Sequence, residues 1–167
     1  LRFNHPEVGL LLLTTEGSQD VVLAADQLLF DNQDDWFLSE VTHFAKRVLK
    51  CYDLTARSSY AFIEPGSAFA GTLYELALAS DRIYMLDDMD RPNSFTLSPM
   101  NGGAYPMSND LTRLEVRFLG EPYRVQEALE HSGPFEPQEA DQHGLVTFAP
   151  DDIDWADLSP AGSRKFL

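Results

Sequence analysis

Apolar and polar positions fall in blocks along this chain, and the block from Ser58 to Leu86 sets the frame for the rest. Tyr60 to Ile63 is a short apolar run that breaks at Pro65-Gly66. Small and apolar residues resume from about Phe69 to Ser80, and Ile83 to Leu86 is a second short run. Short apolar runs bounded by turn residues predict strands, and the longer small-residue run predicts a helix, so the stretch reads strand, turn, helix, strand. Glu75 is the only charged residue between Pro65 and Ser80, flanked by Leu73, Tyr74, Leu76, Ala77 and Leu78. A helix that is apolar on nearly every side is expected to be buried. A carboxylate carried there has to be hydrogen-bonded, shifted in pKa or turned toward a cavity.

The flanking pattern extends the picture. Val8 to Thr15 is a near-continuous apolar run, which predicts a strand covered on both faces. Glu16-Gly17-Ser18 is a turn, and Val21 to Phe30 continues as an apolar helix or strand. Asp34 or Asp35 can cap the next element, where Phe37, Val41, Phe44, Ala45, Val48, Leu49 and Tyr52 share one helical face. Downstream, Asp87 to Pro92 is an acidic turn and Ser94 to Leu97 is a candidate strand. Ser108 or Asn109 can cap a helix with Leu111, Leu114, Phe118 and Leu119 on its apolar side, stopped by Gly120. Pro122 opens a helix through His131, and Pro137 to His143 predicts one more. The stretch from Asp151 to Leu167 holds four aspartates, then Pro160, Gly162 and Ser163, and reads as an acidic linker or frayed tail beyond a domain at 1–150.

Composition narrows the function classes. The 167 residues suit one domain, and 44% hydrophobic content argues against disorder. Cys51 is the only cysteine, so an internal disulfide is impossible and a reducing, cytoplasmic setting is expected. The Leu10 to Leu13 run is far too short to span a membrane. Twelve basic residues against 27 acidic ones give a net charge of −15, which opposes nucleic acid and anionic membranes. That charge also sits badly with an anionic phosphate ligand unless Lys46, Arg47, Lys50, Arg57 or Arg82 supplies a local cation. Each of those also reads as an ordinary solvated face.

Candidate chemistry centres on Glu75. Gly71 and Thr72 lie in the first turn of its helix, where unpaired amides and the positive dipole end could hold a developing oxyanion. Glu75 one turn later could then act as a general base, given a partner carboxylate. The competing reading makes Glu75 a capping or ion-paired group of a scaffold. Ser67 lies between a strand and a helix, but Gly66-Ser67-Ala68 does not fit G-x-S-x-G, and a capping serine is expected. Glu40 and His43 are three apart without further ligands, and His5, His131 and His143 are scattered, so no metal site is expected. Cys51 reads as a packed small residue rather than a nucleophile. No P-loop or dinucleotide fingerprint is present.

The run Gly66 to Asp81 resembles the acyl-CoA signature of the crotonase superfamily, in which a Gly-rich turn leads into a helix carrying E-L-A and ends at an Asp. More narrowly, FAGTLYELALASDRIYMLDD at Phe69 to Asp88, LRFNHPEVGLLLLTTEG at the start and LSPMNGGAYPMS at Leu97 to Ser108 resemble the benzoyl-CoA-dihydrodiol lyase family. Ala140 with Gly144-Leu145-Val146 matches the superfamily's A-x-x-x-G-L-V ending. The resemblance implies an α/β crotonase-like spiral of ββα turns, truncated at both ends and lacking the trimerising helices.

It further implies the C-terminal crotonase-like portion of a ring-cleaving lyase acting on 2,3-dihydro-2,3-dihydroxybenzoyl-CoA in aerobic benzoate degradation. The family's active-site glutamates belong to the N-terminal half, so this portion is expected to scaffold that half and to be inactive alone. Its partners would be an acyl-CoA thioester and the catalytic half or sister subunits, with no separate cofactor, since CoA is part of the substrate. The resemblance also places the second oxyanion donor near Ala25, within Ala24-Ala25-Asp26, where the family's glycine is missing. Met100 stands where crotonases commonly carry a second catalytic carboxylate, and a thioether cannot move that proton. The rival readings are an independent hydratase or isomerase-like enzyme using Glu75, and a non-catalytic module that docks onto crotonase-like subunits.

Overall fold

Parallel strands need a crossover between them, and this chain uses helices for both of its crossovers. The structure, a computed structural model, describes residues 4–158. Strand β1 (Leu10–Leu13) is followed by helices α1 (Gln19–Asp31) and α2 (Trp36–Asp53), and these lead to β2 (Ser58–Ile63). Helix α3 (Gly71–Leu78) then connects β2 to β3 (Arg82–Met85). The three strands pair in the order β1-β2-β3, with Leu10 beside Ser58 and Ile63 beside Met85. The strand, turn, helix, strand reading of the central stretch therefore holds, with ends displaced by a few residues.

Beyond β3 come a 3-10 turn (Pro99–Gly102) and four short helices: α4 (Arg113–Arg117), α5 (Pro122–Glu130), α6 (Pro137–Gln142) and α7 (Asp152–Leu158). The main core lies between α3 and the sheet and is closed by α4, α5 and α6. It is built from Ala61, Ile63, Phe69, Tyr74, Ile83, Met85, Phe95, Leu114, Phe135 and Leu145, with smaller side chains between them. Tyr74 stacks on Phe95 at 4.0 Å, and Phe95 stacks on Phe135 at 5.4 Å. Burying an aromatic or large aliphatic side chain contributes about 1.5–3 kcal/mol, so this cluster holds the two halves of the chain together.

Several expectations are corrected. β1 is covered on one face only: Leu10 and Leu12 are each 42% exposed, while Leu11 and Leu13 are half-buried. α2 has the predicted amphipathic pattern, and Asp35 caps it by accepting from the Phe37 and Leu38 amides at 3.0 Å. Yet Phe37, Phe44 and Val48 on its apolar face are exposed, and Leu49 is its one buried residue. Cys51 is exposed rather than packed, because it lies off the one face of α2 that meets the core.

Other corrections concern loops and caps. Ser94 to Leu97 forms a single antiparallel bridge, Phe95 with Phe135, not a strand. Thr112 caps the following helix through a capping box with Glu115, in place of Ser108 or Asn109; Leu119 is exposed. Where a linker or frayed end is expected, residues 152–158 form α7. Its Trp155 packs edge-on against Phe62 at 5.6 Å and donates to Glu64 at 3.0 Å. The rest of that expected tail lies outside the described residues.

Candidate functional site

Helix α3 starts without a capping side chain of its own: Ala70 is the N-cap residue, and Ser67, the expected cap, makes no such bond. The Ser67 hydroxyl is buried with no hydrogen-bond partner. The orphan amides of a first helical turn need acceptors, and here distant segments provide them. The Gly71 amide donates to the Thr96 carbonyl at 2.9 Å. The Thr72 amide donates to Asp26 Oδ2 at 2.7 Å, and the Thr72 hydroxyl donates to Asp26 Oδ1 at 2.5 Å. Ser98 Oγ donates to Asp26 Oδ2 at 2.5 Å, the third bond to this carboxylate. Asp26 is 2% exposed, so its carboxylate sits as a buried anion at the positive end of α3.

Gly71 makes this approach possible. Its φ is +41°, and a Cβ built there would overlap Asp26 Oδ2 and stand 2.8 Å from Ser98 Oγ. The glycine that reads as part of an oxyanion cradle is thus spent on admitting the chain's own carboxylate. Ala25, the expected second donor, lies inside α1 on an exposed face, where its amide belongs to the helix's own ladder. The three backbone donors singled out from the sequence are not brought together around an open space.

Glu75 lies one turn further along α3 and is 2% exposed. Asn101 Nδ2 donates to Glu75 Oε1 at 2.7 Å, and Arg113 Nη1 donates to Glu75 Oε2 at 2.9 Å. The same guanidinium grips Asp53 in a two-point pair at 2.9 and 2.6 Å and donates to the Tyr105 carbonyl at 3.1 Å. Asn101 also donates to the Gly71 carbonyl at 3.0 Å and accepts from the Ser98 amide at 2.9 Å, so both ends of its side chain are used. Burial pushes the Glu75 carboxyl above its ordinary range. The Asn101 bond and the Arg113 charge oppose that shift, and Asp53 adds to it. Tyr105, whose hydroxyl lies 2.9 Å from that of Thr72, has its phenol pushed up to about 12 by burial and the nearby Asp26 and Glu75 charges.

Met100 is buried in a small cluster with Leu49 and Tyr105, on the 3-10 turn whose Asn101 holds Glu75. A cleft of about 420 Å³ opens beside it, lined by residues of α1, α2 and the 95–106 region, among them Phe30, His43, Lys46, Met100 and Pro106. No carboxylate is among its lining residues, and neither Glu75 nor Glu40 reaches it. Of the candidate cations, Lys46 lines this cleft, Arg57 and Arg82 donate to neighbouring carbonyls, and Arg47 lies 5.8 Å from the Phe44 ring. Asp26, Asp53, Asn101 and Arg113 were not legible as site residues. Each meets its partner across a sequence separation of 26 residues or more. The histidines read as scattered are not all so: His131 and His143 lie together beside Glu139.

No family model matches the chain. Over 158 residues it is 48% identical to benzoyl-CoA-dihydrodiol lyase of Aromatoleum evansii, an alignment that covers 94% of this chain and 28% of that protein. The chain therefore spans little more than a quarter of the length of that relative. Among solved structures it is similar to an enoyl-CoA hydratase/isomerase family member, with a TM-score of 0.55 and 20% identity over 72% of this chain and 44% of the other. It is also similar to ThnE from S. clavuligerus, with a TM-score of 0.55 and 13% identity over 94% and 79% of the two chains. At such identities the structural likeness shows the fold, which is crotonase-like, as the sequence leads one to expect. No helix among the described residues is long and apolar enough to cross a membrane.

Proposed function

We propose, from the premise that this is a crotonase-fold chain akin to benzoyl-CoA-dihydrodiol lyase, that it forms the C-terminal crotonase-like portion of such a lyase and scaffolds its catalytic part. The reaction of the whole would be ring cleavage of 2,3-dihydro-2,3-dihydroxybenzoyl-CoA, with CoA carried by the substrate and no separate cofactor. The observation that supports a scaffold role is the internal engagement of every group that chemistry would need. The Gly71 and Thr72 amides are bonded to Thr96 and Asp26, and both oxygens of Glu75 are held by Asn101 and Arg113. A general base has to reach the proton it takes, and an oxyanion donor has to be free to point at the developing charge.

The bare apolar surface of α2 and the uncovered face of β1 supply the docking side of this reading. Trp36, Phe37, Phe44 and Val48 are exposed on α2, and Leu10 and Leu12 on β1. Among the described residues no strand pairs with the outer edge of β1, whereas the far edge of β3 is taken by residues 147–150. Uncovered apolar area and an open sheet edge mark interaction surfaces. The occupant proposed for both is the remaining, catalytic portion of the lyase, which accounts for the length of the relative that this chain does not span.

The test is complementation. A benzoyl-CoA-dihydrodiol lyase shortened by its matching segment is produced with and without this chain, and ring cleavage is followed. Restored turnover and a co-purifying complex are expected. A shortened lyase that is fully active alone, or that gains nothing from the chain, contradicts the scaffold role.

A further inference from the structure

We propose that His131, Glu139 and His143 form a binding site for a divalent transition-metal ion of the zinc class, clasping the end of α5 to α6. One ligand atom from each of the three lies within 4.8 Å of the other two, and His131 Nε2 is already 3.8 Å from Glu139 Oε2. Two donors on one tetrahedral zinc ion stand about 3.4 Å apart for bonds of about 2.0–2.1 Å. Closing the present arrangement onto an ion therefore takes side-chain adjustments of roughly an ångström and leaves the backbone in place.

The ligands come from a preorganised corner. His131 ends α5, Glu139 lies in the first turn of α6, and His143 follows four residues later on the same helical face. Phe135 sits between them: His131 stacks on its ring at 4.0 Å, and His143 meets it edge-on at 5.6 Å. Phe135 is itself buried and fixed by reciprocal backbone bonds with Phe95 at 3.1 and 2.7 Å. Both imidazoles thus pack against the same buried ring. The His131 and Glu139 side chains are 19% and 40% exposed, so an ion can reach them.

The donor set selects the ion. Two imidazoles and one carboxylate suit zinc, cobalt, nickel or copper, and one carboxylate is too few for calcium or magnesium. Glu139 also lines a cleft of about 580 Å³ with Asp87, Asp88 and Glu136, whose negative charge would raise the local cation concentration. Three protein ligands leave a fourth position to water or to a group from a docked partner.

The test uses the tag-free, metal-free chain titrated with Co2+. A visible d–d absorption band saturating at one equivalent, displaced by Zn2+, is expected, together with a rise in Tm of several degrees on adding Zn2+. His131→Gln and His143→Gln, checked for native circular dichroism, should each weaken Zn2+ binding at least tenfold. Absence of both the band and the Tm shift at millimolar metal overturns the site. Unchanged affinity in both variants overturns it too, because the ion would then sit elsewhere.

Discussion

The Asp26 carboxylate accepts from the Thr72 amide at 2.7 Å, so the first turn of α3 already holds an anion supplied by its own chain. That relationship makes the carboxylate a strut between α1 and α3. Hydrogen bonds to a charged group contribute about 1.5–3 kcal/mol each, and a buried donor left without a partner costs about 1–3 kcal/mol. Asp26→Ala, which strands the Thr72 amide and takes an acceptor from the Thr72 and Ser98 hydroxyls, should lower unfolding free energy by about 2–5 kcal/mol in urea titrations. A loss below about 0.5 kcal/mol would show that α3 does not depend on this cap.

Gly71→Ala meets the same carboxylate from the other side. Overpacking costs about 1–3 kcal/mol, and the positive φ adds strain. Because the clash is with Asp26, the penalty should shrink in an Asp26→Gly background, giving a coupling of at least about 0.5 kcal/mol in a double-mutant cycle. Strictly additive values would place the strain elsewhere.

Arg113 is the hub of the second network, bridging Asp53 and Glu75. Removing one partner of a buried ion pair costs about 3–5 kcal/mol because a charge is left uncompensated. Arg113→Met leaves two such carboxylates. Glu75→Gln leaves Arg113 still paired with Asp53 and replaces one acceptor oxygen by a donor, for about 1–3 kcal/mol. Chemical denaturation at neutral pH should therefore rank Arg113→Met as the more damaging change, and the reverse order would contradict the hub assignment.

The pH dependence carries its own sign. The Glu75 carboxyl is raised in the folded chain from an ordinary value of 4.5. A raised pKa means the folded state binds the proton more tightly, so this stabilisation is complete below about pH 4.5 and is lost as pH climbs through the raised value. Glu75→Gln should remove that decline, and urea midpoints measured from pH 4 to 8 in both chains would reveal it. A wild-type decline that persists unchanged in the variant would mean that another group is responsible.

The exposed face of α2 gives a prediction about association. Phe44→Glu replaces a side chain that is 62% exposed, so stability should change by no more than about 0.5 kcal/mol. The same change should weaken binding to the catalytic portion of the lyase at least tenfold, read by analytical ultracentrifugation of the mixture. Equal binding would move the docking surface elsewhere.

The strand, turn, helix, strand frame was legible because β2, α3 and β3 carry their own local pattern, and Glu75 stood out as the one charge between Pro65 and Ser80. What was hidden depends on partners far off in the chain. Asp26 reaches α3 across 46 residues, and Arg113 reaches Glu75 across 38 and Asp53 across 60. No periodicity encodes such pairings. His131 and His143 read as scattered, because His131 reaches Glu139 and His143 only through the turn around Phe135. The exposure of Phe37 and Phe44 was equally hidden, because amphipathic spacing gives a face without saying what covers it.

The most direct measurement is a titration of the purified chain with the dihydrodiol of benzoyl-CoA, following thioester turnover for wild type and Glu75→Gln side by side with their Tm values. The account predicts no ring cleavage by either protein, and a Tm lowered by the substitution. Turnover by the wild-type chain that disappears in Glu75→Gln would make Glu75 a working base and contradict the scaffold assignment.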